Sequence, residues 1–405
     1  MRTAYKCRAY PTPEQTTVLN RTFGCIRVVW NRTLAARHAL YATERKSTSY
    51  AETDRALTAM KADPELAWLA EVSSVPLQQA LRHQHTAFTA FFAKRARYPR
   101  FKSRTSKQSA SYTRSAFRMK GAALWLAKTV EPLRYVWSWT DIDPATLDPS
   151  MVTVSRDPDG RWFVTFAVDI DAPQAPPETG QSVGVDLGLK DFAVLSTGER
   201  IAHPRNWEQH ERRLKRYQRR LARKTKGSAN RKKAVVKVAR AHSRIKDARR
   251  DFLHKSSTDL VRRFDAIAVE DLAVSNMVKN RSLARSISCT GWGRFRTLLG
   301  YKAARDGRHI AVVDRWYPSS KTCSACGHLL ASLSLSTREW TCPTCGARHC
   351  RDINAAKNIL AAGLAVRPDM SGHACGGGVR RSGATPAQPP GKQETQPVRA
   401  GTPRL

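Results

Sequence analysis

The chain has 405 residues, with 70 Lys+Arg against 33 Asp+Glu, a formal net charge of +37. A hydrophobic fraction of 41% excludes wholesale disorder, and the length suits about two or three domains, each able to bury a core. So large a positive excess excludes a neutral or acidic working face and implies a polyanionic partner, with nucleic acid as the first candidate.

No run of about 18 apolar residues occurs, so no transmembrane helix is expected. The start lacks the apolar stretch of a signal peptide. A cytoplasmic location, nucleoid-associated when on DNA, is the expectation. There the nine cysteines should be reduced, so a cysteine cluster points to metal rather than to disulfides.

Taken in order, residues 4–10 predict a strand. Thr12, Pro13 and Gln15 form a helix-start signature, followed by Leu19, Phe23, Ile26 and Trp30 on one apolar helical face. A second helix opens near Ser74-Val-Pro76, carries Leu77, Leu81, Phe88 and Phe91, and ends before Tyr98-Pro99. From about residue 115 short strands take over. Asp159-Gly160 between residues 151–155 and 162–168 predicts a hairpin in a small antiparallel sheet or barrel. Residues 171–180 read as a linker.

A new domain begins with the strand around Ser182–Leu187, with a hairpin partner at residues 192–195. Residues 206–255 then hold 19 Lys+Arg and 4 Asp+Glu. This reads as two basic helices broken at Gly227-Ser228. Arg212, Arg213, Arg216, Arg219, Arg220, Arg223, Lys224, Lys232 and Lys233 are candidates for phosphate contact, as are Arg100 and Lys102 earlier in the chain. Tyr98, Phe101 and Trp207, aromatic among basic residues, fit either base stacking or core packing. Apolar strands are expected at residues 266–270 and 309–313, and the tail from about 367 reads as disordered.

Cys323-Ser-Ala-Cys326 and Cys342-Pro-Thr-Cys345 are two C-x2-C knuckles with fifteen residues between them, each followed directly by a glycine. Four soft thiolates with no open position define a structural Zn²⁺ site. Cys350 is a spare thiol, and Cys7, Cys25, Cys289 and Cys375 read as isolated.

Three acids stand out. Asp186 interrupts an apolar strand, Glu270 ends another, and Asp352 lies where a last helix begins. A carboxylate in such a setting is costly unless paired or metal-bound. Taken singly, Asp186 reads equally as a turn residue, Glu270 as a helix-start acid and Asp352 as a helix cap. Converging, they could hold two Mg²⁺ or Mn²⁺ ions about 3.5–4 Å apart for phosphodiester hydrolysis.

The chain resembles the TnpB family, transposon-encoded RNA-guided DNA endonucleases of the OrfB type, and is similar to compact type V CRISPR effectors. The resemblance spans residues 4–365 and rests on several motifs. These are Tyr10-Pro-Thr-Pro-Glu-Gln15, Phe23-Gly-Cys-Ile-Arg27, Trp30-Asn31, Leu77-Gln-Gln-Ala-Leu81, Tyr98-Pro-Arg-Phe-Lys102, Gly184-Val-Asp-Leu-Gly188, Val269-Glu-Asp-Leu272, the two knuckles, and Arg351-Asp-Ile-Asn-Ala-Ala356. One departure is Cys350, where Asp is expected.

The resemblance implies an α+β multidomain fold. An oligonucleotide-binding-like wedge β-barrel (1–12 and 115–172) would be interrupted by a helical recognition domain (13–114). An RNase H-like (RuvC) α/β nuclease domain (181–320 and 347–366) would carry an inserted zinc ribbon (321–346), and 367–405 would form a disordered tail. It further implies Asp186, Glu270 and Asp352 as catalytic metal ligands, a guide RNA from the transposon end, and double-stranded target DNA beside a transposon-adjacent motif. The alternatives are a transposase or recombinase accessory protein of an insertion sequence, and a guide-directed DNA-binding repressor.

Overall fold

The computed structural model describes residues 2–365 except 141, 172–174, 205–206 and 335. The expected disordered tail and Cys375 lie outside the described residues.

Strand β1 (Arg2–Tyr10) leads into α1 (Pro13–Glu44). The helix starts there because Thr12 Oγ1 accepts the Gln15 N–H at 3.3 Å while Gln15 Oε1 accepts the Thr12 N–H at 3.1 Å, satisfying two otherwise orphaned donors. Its buried face includes Leu19, Phe23, Ile26, Val29 and Trp30. Each such side chain taken fully from water contributes about 1.5–3 kcal/mol. Helix α2 (Tyr50–Ala62), a 3₁₀ turn (Pro64–Ala70) and α3 (Ser74–Phe92) follow.

Strands β2 (Gln108–Thr113), β3 (Phe117–Lys120), β4 (Ala123–Leu126), β5 (Arg134–Val136), β6 (Pro149–Arg156) and β7 (Trp162–Asp169) come next. The first sheet is antiparallel, in the order β2-β6-β7-β1-β5. Tyr5, Cys7 and Ala9, alternating along β1, pack into one core with Leu19, Phe23 and Ile26 of α1 and with Leu77 and Leu81 of α3. Two features differ from expectation. The sheet already begins at residue 108, inside the span expected to be helical, because Ala110, Ser111 and Tyr112 are buried on it. The strand ladder also does not close into a barrel among the described residues. The β3–β4 hairpin is a separate two-stranded piece whose Leu124 and Leu126 seal the same core.

The second sheet is mixed. Strands β8 (Ser182–Leu187), β9 (Ala193–Leu195) and β10 (Arg200–Ile201) form an antiparallel meander. Helices α4 (Trp207–Ala222) and α5 (Ala229–Arg263) lead to β11 (Ala266–Glu270), and α6 (Val274–Met277), α7 (Ala284–Thr290) and α8 (Trp292–Arg305) lead to β12 (His309–Val313). Strands β11 and β12 run parallel to β8, giving the order β10-β9-β8-β11-β12. Strands β13 (Glu339–Thr341) and β14 (Arg348–Cys350) form a small antiparallel pair, and β14 runs directly into α9 (Arg351–Ala365).

Helix α9 lies on the second sheet, and glycines allow the contact. A Cβ on Gly184 would sit 2.0 Å from the Ala356 carbonyl oxygen, and one on Gly363 would sit 2.5 Å from the Ala268 Cβ. On the other side, α8 is fixed to α5 by buried Lys302. Its Nζ donates to His254 O (2.7 Å), Ser257 Oγ (2.8 Å) and Thr258 Oγ1 (2.6 Å). The first sheet is tied to α5 at the β6–β7 turn, through Arg161 to Asp247 (2.6 Å) and Lys246 to Asp157 (3.5 Å).

Candidate metal centres and nucleic-acid interface

In β8, Val185 stands opposite Val269 of the parallel β11, so Asp186 and Glu270 occupy the next position along adjacent strands. Side chains alternate across a strand, which puts Asp186 on the face of Gly184, where α9 rests. Asp352 lies one helical turn before Ala356, over that same end of the sheet. Burial first, then the facing carboxylates of Glu270 and Asp352, raise Asp186 to about 7. Glu270 Oε1 accepts from Ser319 Oγ at 2.7 Å. Asp352 lies 3.7 Å from Arg200 Nη1 and 3.6 Å from Arg338 Nη1. The three acids therefore face one another, in a looser set than the cysteines. Among the described residues, only the four cysteines bring all their ligand atoms within 4.8 Å.

The two knuckles have one geometry. Gly327 and Gly346 take φ of +78° and +73°, a region costly for other residues, and their N–H groups donate to the carbonyls of Cys323 and Cys342, each at 2.9 Å. Cys323 and Cys345 sulfurs are 3.7 Å apart, and those of Cys326 and Cys342 are 3.6 Å apart. Zn–S bonds of about 2.3 Å in a tetrahedron require sulfur–sulfur edges of about 3.8 Å, so the set fits Zn²⁺. His349 Nε2 lies 3.0 Å from Cys323 Sγ, and Trp340 packs on the His349 ring. Asn354 of α9 ties the ribbon to the acid site, accepting from Ser324 N–H at 2.9 Å and donating to Thr322 O at 2.7 Å.

The proposed phosphate contacts divide. Arg212, Arg213, Arg216, Arg219 and Arg220 are exposed along α4, Arg223 and Lys224 just beyond it, and Lys232 and Lys233 at the start of α5. Arg231 closes this hairpin by donating to the Leu221 and Lys224 carbonyls at 3.1 Å. Arg100 is exposed. Lys102 is not offered to solvent in the same way. It is half-buried, with Nζ 4.4 Å from the Trp30 ring centre and its backbone locked to Asn31. Tyr98 packs edge-on against Phe88 and Phe91, whereas Phe101 is exposed. The Trp207 side chain lies outside the described residues. A groove of about 1010 Å³ lies between the β6–β7 turn and α4, α5 and α8; its wall is largely apolar, with Leu221, Val238, Ile245 and Leu298, and Lys107, Lys246, Arg249, Arg250 and Arg294 also line it.

Sequence reading missed Arg200, Arg338, Ser319 and His349. Only His349 carried a signal, its closeness to the second knuckle. Cys350 is not one of the four clustered cysteines, and its sulfur accepts from Arg200 Nη2 at 3.1 Å.

Fold and site define a class: a strongly basic α/β protein with three acids at the strand ends of a mixed sheet, and a four-thiolate ribbon leading into the helix that bears the third acid. Residues 165–281 match the OrfB family of IS605 elements, described as "Probable transposase", and residues 292–359 match a Cas12f1-like TNB domain. Residues 1–46 match a helix-turn-helix domain of the same OrfB family, although here that span is β1 and the first 32-residue helix. The chain is 51% identical over 99% of its length to a candidate RNA-guided DNA endonuclease of Streptomyces pristinaespiralis, covering 98% of that protein. It is 32% identical over 90% of its length to the candidate RNA-guided DNA endonuclease InsQ of Escherichia coli (strain K12), covering 92% of that protein. Its fold is shared with the protein of a Cas12f1–sgRNA–target DNA complex, with a TM-score of 0.54 at 14% identity, covering 86% of this chain and 83% of that one. The chain belongs to the TnpB family.

Proposed function

We propose that this protein is an RNA-guided DNA endonuclease whose cutting site is Asp186, Glu270 and Asp352. The observation that carries the reading is the register of β8 and β11, which sets Asp186 beside Glu270 while α9 holds Asp352 over the same strand ends. The β10-β9-β8-β11-β12 order, three antiparallel strands followed by two parallel to the first, supports an RNase H-like (RuvC) nuclease domain. The first sheet and α1–α3 are read as the wedge and recognition parts.

Three facing carboxylates repel one another, and burial raises the cost, so the set suits divalent cations held by hard oxygens. When bound, two Mg²⁺ or Mn²⁺ ions supply water activation and charge stabilisation at the leaving oxygen. Ser319 orients Glu270, and Arg200 and Arg338 put positive charge beside Asp352, where a phosphate must also arrive. The exposed arginines of α4 hold the polyanions, with pairing to the guide reading the sequence. The four cysteines hold a structural Zn²⁺ that fixes the start of α9 and thereby Asp352.

The description of the matched family as a transposase supports a second reading, strand transfer without a guide. One experiment separates the two. RNA co-purifying with the protein is sequenced, and its guide end is then replaced. Cutting that follows the new guide is the expected result, and cutting indifferent to the RNA contradicts the proposal.

A further inference from the structure

Residues 314–322 join β12 to the ribbon, and they are pinned at several points. Val313, just before them, pairs with Glu270 in the β11–β12 ladder. The carboxylate of Asp271 accepts from both Arg315 and Arg296. Tyr317 packs on Ala268, Ala311, Val313 and Ile359. Ser319 donates to Glu270, and the Ser319 and Thr322 carbonyls accept from Asn358 Nδ2 at 2.8 and 2.6 Å. Between these anchors stands Trp316. Its backbone N–H donates to Asp314 Oδ1 at 2.8 Å, and the residue is 84% exposed. No other Trp, Phe or Tyr side chain among the described residues is as exposed, the next being Phe92 at 65%.

An indole held out on a fixed segment has no folding role and loses little freedom on binding. Every base presents a flat face to stack on it. The location selects the occupant. Trp316 is three positions past Val313, the ladder partner of Glu270, at most about 11 Å of chain. Arg315 and Arg296 border the same edge, in a pocket of about 320 Å³ that also includes Glu270 and Asp271. A base against this ring therefore belongs to a nucleotide close to the phosphate at the acids. We propose that Trp316 stacks on a base of the DNA strand lying across Asp186, Glu270 and Asp352. This inference rests on the guided-nuclease reading above.

The test uses the full protein with its co-purified RNA. Cleavage of guide-matched DNA is measured for wild type, Trp316→Ala and Trp316→Phe, with melting temperature and bound RNA as controls. Trp316→Ala should lower kcat/KM about tenfold while Trp316→Phe retains most activity, in line with the usual worth of one stacked base. A single abasic nucleotide, moved stepwise past the cut, should reproduce the loss at one position in wild type and add nothing there in Trp316→Ala. Three results overturn the proposal: an unchanged kcat/KM in Trp316→Ala, an abasic penalty equally large in the variant, or loss of RNA from it, which would assign the ring to the guide. Failure of the wild type itself to cut guide-matched DNA removes the nuclease reading and this inference with it. Wild-type cutting with an unaffected Trp316→Ala removes this inference alone.

Discussion

Gly184 of β8 touches the backbone of Ala356 in α9 so closely that a Cβ there would lie 2.0 Å from the Ala356 carbonyl oxygen. That contact sets the height of α9 above the sheet, and so the reach of Asp352 toward Asp186. Gly184→Ala must displace the strand or the helix. Overpacking of this kind costs about 1–3 kcal/mol, occasionally more. The expected outcome is a lower melting temperature and cleavage reduced beyond what the fraction unfolded explains, with RNA still bound. Unchanged melting and cutting would show that the contact does not set the site.

The ribbon has a small core of Cys323, Trp340 and Cys342 with Leu330 and Leu333 against it, too little to fold without its metal. Removing Zn²⁺ with a chelator, or Cys342→Ser, should abolish cleavage through loss of ribbon structure. His349→Ala, which removes the side chain beside Cys323 Sγ, should instead weaken zinc affinity by about 10–100-fold. Competition with a coloured chelator measures this, and wild-type affinity in His349→Ala would contradict the role.

Much of this site is legible in the sequence. The cysteine spacing is local, and a knuckle needs only its own residues and a glycine. Asp186 and Glu270 stand out because they interrupt or end apolar strands. Arg200, Arg338 and Ser319 give no such sign, because they reach the acids across 152, 14 and 49 residues of chain. β2 is hard to read because Gln108–Thr113 is polar in composition and becomes a strand only through burial of its middle. The helices α6–α8 escape for a similar reason: two are short, and α8 is defined by packing on α5. Lys102 looks like a phosphate contact by composition, and only the fold turns it onto Trp30.

Burial holds the Lys302 ammonium down to about 8, from the usual 10.5. Between those values the unfolded chain binds the proton and the folded chain has released it, so stability rises with pH across the window. The favourable share is complete above about 10.5 and is lost as pH falls through about 8. Denaturation across this range should show the rise in wild type and its absence in Lys302→Met. Parallel curves for the two proteins would contradict it.

Arg216, Arg219 and Arg223 lie exposed on or just beyond α4. Replacing all three with Gln should weaken nucleic-acid binding without regard to sequence. It should also flatten the log–log salt dependence by about 0.9 for each duplex phosphate no longer neutralised, or about 0.7 on single strands. Binding titrations over a salt series decide this, and an unchanged slope would show that other side chains hold the phosphates.

Asp186→Asn removes a buried charge that faces Glu270 and Asp352. In metal-free buffer it should raise the melting temperature, and with Mg²⁺ it should cut nothing. A lower melting temperature in metal-free buffer would show that the charge is not strained in the folded chain.

The most direct test of the account is cleavage of guide-matched DNA by wild type and Asp186→Ala, each purified with its RNA and supplied with Mg²⁺. The account predicts programmed cutting by the first, none by the second, and equal RNA in both. Cutting by Asp186→Ala at the wild-type rate would contradict it.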